Sequence, residues 1–353
     1  MDVKAFLKKV SEAPGVSGFE YRTVAPIIQE FMAPLVDEIR TDALGNLIGF
    51  KRGEAGRRNP KVMLAGHMDE VGLIVTKIDD RGFLRFTDMG GVDPRILPGH
   101  EVVVHGKMPL RGIVGVKPPH VMTADEMSKT YKMEDLFIDV GLPAEKVREL
   151  VSVGDLVTYH RQFTELMGDL VAGKSFDDRA GVAVILVALE ELRKYRYTAD
   201  VYAVATTQEE AGLRGATVSS YGIFPDVAIA IDVCQGDTPG VPEWRTQSVG
   251  KGPALCVGGN IHPKVYEGLT KAAADLGISV QQEVAPGPTG TDAWAMQMAR
   301  EGVATGLISI PLRYMHTSVE TLSVGDIEKA GKILARFIAS VDAGFVEGLT
   351  KWI

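Results

Sequence analysis

Lys61-Val62-Met63-Leu64-Ala65-Gly66-His67-Met68-Asp69 is an apolar run that ends in an imidazole and a carboxylate two positions apart. It follows Asn59-Pro60 and has the length of a buried strand. On a strand end, side chains two apart project to the same side, so His67 and Asp69 share one. An isolated pair of this kind is more often solvated polar surface than a binding site. The rest of the chain shifts that balance.

Three further apolar runs lead to metal-binding residue types. Residues 201–205 precede Glu209-Glu210, residues 227–231 precede Asp232, and residues 306–310 precede His316. Asp177-Asp178 stands at the head of a predicted helix over 179–194, where Val182, Ile185, Leu186, Leu189 and Leu192 fall at helical spacing. Open α/β sheets bind ligands at the carboxyl ends of their strands, so each position gains weight from its place. Together His67, Asp177, Glu209, Glu210, Asp232 and His316 supply two terminal imidazoles, a bridging carboxylate, two terminal carboxylates and one Glu left over as a base. That is the inventory of a two-metal hydrolase.

The residue types divide the roles. A bridging ligand must reach two cations roughly 3.5–4 Å apart, and a short Asp serves that well. Asp177 is assigned to the bridge and Asp178 to helix capping or support. Two adjacent Glu side chains at the end of an apolar strand repel and resist desolvation unless a cation neutralises one. Glu209 is taken as the general base and Glu210 as the ligand. Asp69 has two open roles, orienting the base or meeting a substrate amino group. His100, His105, His120, His160 and His262 fall in loops or β-rich sequence and are read as ordinary polar residues. There is no G-x-S-x-G, and Gly287-Pro288-Thr289-Gly290-Thr291-Asp292 lacks P-loop spacing.

At 353 residues, 45% hydrophobic and 24% charged, the chain reads as a globular protein of one or two domains. A net charge of -8 with no basic cluster argues against nucleic acid as a partner. Arg57-Arg58 reads as a solvated loop. Two cysteines, Cys234 and Cys256, imply no disulfide framework, and both are expected to be buried thiols. The first ten residues pattern as an amphipathic helix rather than a signal peptide, and no apolar stretch approaches membrane-spanning length. No membrane association and a cytoplasmic address are expected.

Strands and helices alternate in two blocks, 1–69 and 165–353, separated by a β-rich segment over 70–164. The first block opens with helices at about 2–11 and 20–35, with Gly15-Val16-Ser17-Gly18 as turn and cap. In the middle segment, runs at 73–78 and 83–86 flank Asp79-Asp80-Arg81-Gly82, a hairpin turn with Gly where positive φ is needed. Further short runs follow at 101–104, 112–116 and 155–159, with one clear helix near 144–150. The final helix is predicted from Ser323-Val324-Gly325-Asp326, which has capping-box spacing, to about Val346.

The ordered set His67-x-Asp69, Asp177-Asp178, Glu209-Glu210, Asp232, His316 resembles the co-catalytic metallopeptidases. The 110-position gap between His67 and Asp177 directs the match to the M42 glutamyl or deblocking aminopeptidases, the TET group, which also carries an endoglucanase M-like label. Asp-Glu-Val-Gly-Leu-Ile-Val after His67-Met68, Ser-Phe-Asp-Asp-Arg-Ala-Gly, Gln-Glu-Glu-Ala-Gly-Leu-Arg-Gly-Ala, Gly-Thr-Asp-Ala and Ile-Pro-Leu-Arg-Tyr-Met-His-Thr are similar to its segments, and the likeness spans essentially the whole chain. The resemblance implies an α/β, mixed-sheet, three-layer metallopeptidase domain with an inserted small β-rich, barrel- or PDZ-like dimerisation domain. It implies one divalent ion on His67, Asp177 and Asp232 and another on Asp177, Glu210 and His316, with Glu209 as base and Asp69 in support. It further implies peptide substrates, and dimers that build a tetrahedral dodecamer.

The expected activity is removal of an amino-terminal residue by metal-activated water. A deacylase or dipeptidase acting on N-acyl amino acids or small peptides is the alternative on the same dinuclear site. Glycoside hydrolysis needs two carboxyls and leaves both histidines unexplained. A mixed His/carboxylate set suits Zn2+ or Co2+ first and Mn2+ as well.

Overall fold

The strands come in three groups along the chain. β1 (Glu38–Thr41), β2 (Leu47–Lys51) and β3 (Lys61–His67) lead. β4 (Gly72–Ile78), β5 (Leu84–Met89), β6 (Glu101–His105), β7 (Pro109–Gly115), β8 (Phe137–Asp139) and β9 (Leu156–Tyr159) follow. The last group is β10 (Thr164–Glu165), β11 (Leu170–Gly173), β12 (Asp200–Thr206), β13 (Val227–Gln235), β14 (Ala254–Gly258), β15 (Gln281–Ala285), β16 (Ala304–Arg313) and β17 (Glu320–Ser323). The computed structural model describes residues 1–54 and 59–351, so Arg57-Arg58 lies outside the described residues.

The first and last groups build one mixed sheet, eleven-stranded among the described residues. Its order is β1-β2-β12-β3-β13-β16-β17-β11-β10, with β14 branching from β16 and carrying β15. At its centre β12, β3, β13 and β16 run parallel, so their carboxyl ends lie along one edge. These strands are buried on both faces, which is why they read as nearly continuous apolar runs. Side-chain alternation separates the faces. Val62, Leu64, Ile229, Ile231, Ile308 and Ile310 join one core cluster, and Met63, Ala65, Ala228, Ala230 and Leu307 join another.

Helices cover both faces, giving three layers. The first cluster takes the apolar sides of α1 (Val3–Glu12) and α2 (Val24–Met32). The second group, β4–β9, closes instead into a separate barrel of order β4-β5-β8-β7-β6-β9 around Leu73, Val75, Leu84, Val102, Val104 and Ile138. Two short helices, α3 (Ala124–Met127) and α4 (Ala144–Leu150), interrupt it, one more than the sequence announced. The β4–β5 hairpin turns at Gly82, φ 95°, while the Asp79 carboxylate accepts from the Arg81 and Phe83 amides at 2.8 and 2.9 Å. After the barrel, α5 (Phe176–Leu192) packs on the first face, α6 (Arg214–Ile223) on the second, α7 (Pro263–Asp275) on the first and α8 (Asp292–Gln297) on the second. α9 (Val324–Ile338) and α10 (Ala343–Leu349) end the fold.

Several local expectations change. The single final helix is two, because Asp342 starts a new one by accepting the Phe345 amide at 2.8 Å. The capping box at Ser323–Asp326 does not form: the Ser323 hydroxyl donates to Asp169, and Asp326 accepts the Gly250 and Gly252 amides. The predicted 20–35 helix is α2 flanked by 3-10 turns. Ser17 caps no helix; its hydroxyl donates to Asp69.

Candidate metal centre

Each candidate side chain reaches the carboxyl edge of the sheet by a different local device. His67 is the last residue of β3. Asp232 lies inside β13 rather than beyond it, since the strand continues to Gln235. Glu209 and Glu210 occupy the turn after β12, entered through Gln208 at φ 56°. Asp177 opens α5 with extended backbone, φ -74° and ψ 106°, after Ser175 at φ 59°, and its peptide bond to Asp178 is cis. His316 stands between β16 and β17 at φ 62°. Left-handed backbone at non-glycine residues costs energy and concentrates at functional loops, and here it precedes or holds three of the site segments.

The side chains converge on Asp177. His67 Nε2 is 3.1 Å from Asp177 Oδ1, and His316 Nε2 is 3.3 Å from Asp177 Oδ2 and 3.2 Å from Glu210 Oε1. Donor atoms of His67, Asp177 and Asp232 lie within 4.8 Å of one another, as do those of Asp177, Glu210 and His316. The two sets share Asp177, one carboxylate oxygen facing each histidine. A third grouping of the same spread joins His67 with Glu209 and Glu210. Glu209 Oε2 is 3.8 Å from His67 Nε2.

Electrostatically the pocket asks for cations. Asp69, Asp177, Asp178, Glu209, Asp232, Asp292 and Glu320 are all buried, against two nearby imidazoles. Burial, reinforced by the neighbouring acids Asp232, Asp292 and Glu210, pushes Glu209 up to about 10 despite His67. Burial and the Asp177 charge raise Asp232 well above an ordinary carboxyl, again against His67. Burial disfavours a charged His316, but its bonds to Asp177 and Glu210 win and raise it to about 11. This excess of buried carboxyls over imidazoles is crowding that divalent ions would relieve, so the donor set fits a pair of metals.

Supporting residues fix the geometry. Asp69 accepts the Glu209 and Glu210 amides at 3.0 and 3.1 Å, and its Oδ1 lies 3.4 Å from His67 Nδ1. It thus holds the Glu pair by its backbone and faces the outer nitrogen of His67. Asp178 accepts the His67 amide at 3.2 Å and the Gly181 amide at 2.9 Å.

Other supporting residues carried no sequence signal of their own. Glu320 accepts the amides of both Asp177 (3.1 Å) and His316 (3.0 Å). Thr206, the register partner of His67 on β12, donates to Asp292. Glu70 takes Lys174 Nζ at 2.6 Å and Arg179 at 3.3 Å, and Arg179 also donates to the carbonyls of Val10, Ala13 and Met68. Arg179 falls within Ser-Phe-Asp-Asp-Arg-Ala-Gly, where only the two acids point to a site.

Comparison with known proteins gives consistent matches. The profile of the M42 glutamyl aminopeptidase family matches residues 45–333. A lysyl aminopeptidase of Pyrococcus furiosus is 38% identical over 331 residues, covering 93% of this chain and 94% of the relative. The structure of an aminopeptidase from the archaeon Desulfurococcus kamchatkensis superposes with TM-score 0.92 at 40% identity, covering 99% of this chain and 97% of that one. A Pyrococcus horikoshii TET1 peptidase, described as assembling into a tetrahedron or a large octahedral shell, superposes with TM-score 0.84 at 32% identity over 96% and 100% of the two chains.

Proposed function

Because the chain belongs to the M42 glutamyl aminopeptidase family and is therefore an aminopeptidase, we propose that its reaction centre is the Asp177 cluster with Glu209 as proton carrier. The observation that carries this reading is the pair of three-residue donor sets sharing Asp177. His67, Asp177 and Asp232 would hold one divalent ion and Asp177, Glu210 and His316 the other. Bound there, the two ions supply Lewis acidity for the scissile carbonyl and an acidified water as nucleophile.

The chain's residues do the rest. Glu209, in the turn beside His67, takes a proton from the attacking water and returns it to the departing amine. Asp69 keeps that turn in place through two amide hydrogen bonds and orients His67. The matching family and the relatives are named as aminopeptidases, so the deacylase alternative is not favoured.

Zn2+ or Co2+ are the proposed metals, with Mn2+ also compatible with the mixed donors. Residues 70–164 are proposed as a self-association unit and 1–69 with 165–353 as the catalytic one, with a dodecamer of the kind described for a TET1 relative as the assembly. Both cysteines are free and buried, which suits a reducing compartment such as the cytoplasm. Among the described residues no helix is long and apolar enough to cross a membrane.

The test is chelation followed by metal return, assayed on free-amine and N-acetylated forms of the same peptides. Hydrolysis of the free-amine peptides should vanish and recover, with the acetylated forms left intact throughout. Full activity in thoroughly metal-stripped enzyme would sink the reading.

A further inference from the structure

His316 sits in the loop between β16 and β17, where both Tyr314 (φ 63°) and His316 (φ 62°) adopt left-handed backbone. Such a loop does not hold its shape without outside contacts. The main sheet provides one, the Glu320 carboxylate that accepts the His316 amide. The barrel provides two more. The carbonyl of Gly91, just beyond the end of β5, lies 3.1 Å from His316 Nδ1. His100, immediately before β6, shares a 2.9 Å hydrogen bond between its Nε2 and the Ser318 hydroxyl.

A carbonyl only accepts, so the first contact places a proton on Nδ1 and leaves Nε2 as the atom turned toward Asp177 and Glu210. The approach is close as well as polar. A Cβ on Gly91 would stand 3.0 Å from His316 Nδ1, and one on Gly90 (φ 86°) would stand 3.3 Å from Glu210 Cβ. The Gly90-Gly91 turn therefore packs on the two side chains that distinguish one donor set from the other. His67, by contrast, has its outer nitrogen beside Asp69, from its own strand exit, and Asp232 accepts the amide of its neighbour Val233. The barrel touches one donor set and leaves the other to the main sheet.

We propose that the barrel is the positioning element for His316, with Gly91 setting its ring and His100 clamping its loop through Ser318. On this account one metal set is completed only when barrel and sheet are correctly docked. The inference builds on the two-metal reading above, and its test separates the two.

Metal-stripped wild type, His100→Ala, His100→Gln and Gly91→Ala are titrated calorimetrically with Zn2+, and bound metal is counted by elemental analysis. Wild type should take up two equivalents. His100→Ala and Gly91→Ala should bind the first normally and the second about 10–100-fold more weakly, the loss typical when a ligand's outer partner is removed. His100→Gln, which keeps a donor toward Ser318, should recover most of that affinity. In both weakened variants kcat should fall at limiting metal and return with excess metal, with KM unchanged.

Fewer than two equivalents in wild type would overturn the two-metal reading itself. Two wild-type affinities in His100→Ala, or equal weakening of both, would overturn the positioning role and leave the two-metal reading standing. Should Gly91→Ala fail to fold, the His100 pair decides the question alone.

Discussion

Glu209 and Glu210 are chemically identical neighbours, and their surroundings alone separate them. Glu210 lies 3.2 Å from His316 and belongs to the set that includes Asp177. Glu209 stands beside His67 and is raised to about 10 by burial and nearby acids. Replacing Glu209 by Gln keeps its size but removes the proton acceptor. Turnover should fall by about 10²–10⁴-fold while metal content stays at wild-type level. Glu210→Gln should instead lower the occupancy of one metal, and added metal should partly restore activity. Elemental analysis beside single-turnover kinetics checks both, and the opposite pattern would exchange the two assignments.

Among the elements, α5 is the one whose first turn has the most to do. It brings Asp177 to the site, and Arg179, fully enclosed, ties together the end of α1, the exit of β3 and the Glu70 carboxylate. Taking the donor from a buried carbonyl typically costs about 1–3 kcal/mol, and loss of Arg179 does this at Val10, Ala13 and Met68 while Glu70 keeps Lys174. Arg179→Met should lose stability of that order in denaturant unfolding, against little change for an exposed pair such as Lys146–Glu149.

Glu70 adds a pH signature. Burial would raise it, but Lys174 and Arg179 hold it below its ordinary value of 4.5. The folded state thus favours the ionised form. That contribution is complete above pH 4.5 and is lost as pH falls through the lower folded value. The stability gap between wild type and Glu70→Gln should accordingly shrink below pH 4.5 when unfolding midpoints are compared.

At the scale of the whole molecule, barrel and sheet are topologically distinct, the barrel closed on one core and the open sheet packed on a core at each face. Exposed apolar side chains on the barrel, among them Met108, Ile113, Val121 and Met127, are available for contacts between copies. Sedimentation should report a species far larger than the 38.0 kDa chain. A fully active monomer would contradict the proposed assembly. If the sites face an enclosed chamber, short peptides should be cleaved and the same sequences within a folded protein should not.

What could be read from the sequence was governed by local rules. Strand burial on both faces makes continuous apolar runs, so the α/β sheet was visible, and metal-binding residue types after those runs, with Asp177 at the head of a helix, made His67, Asp177, Glu209, Glu210, Asp232 and His316 the candidates. The β4–β5 hairpin was legible because only certain residues tolerate its turn. Beyond that, partners lie too far apart in the chain for any local pattern to reveal them. Glu320 meets Asp177 across 143 positions, Ser17 meets Asp69 across 52, and the break between α9 and α10 depends on a cap that helix periodicity does not anticipate. The Ser323–Asp326 spacing failed for the same reason: its side chains found better partners in Asp169 and the 250–252 turn. Residue type and period are properties of the chain, whereas which carboxylate faces which amide is decided only when separate segments pack.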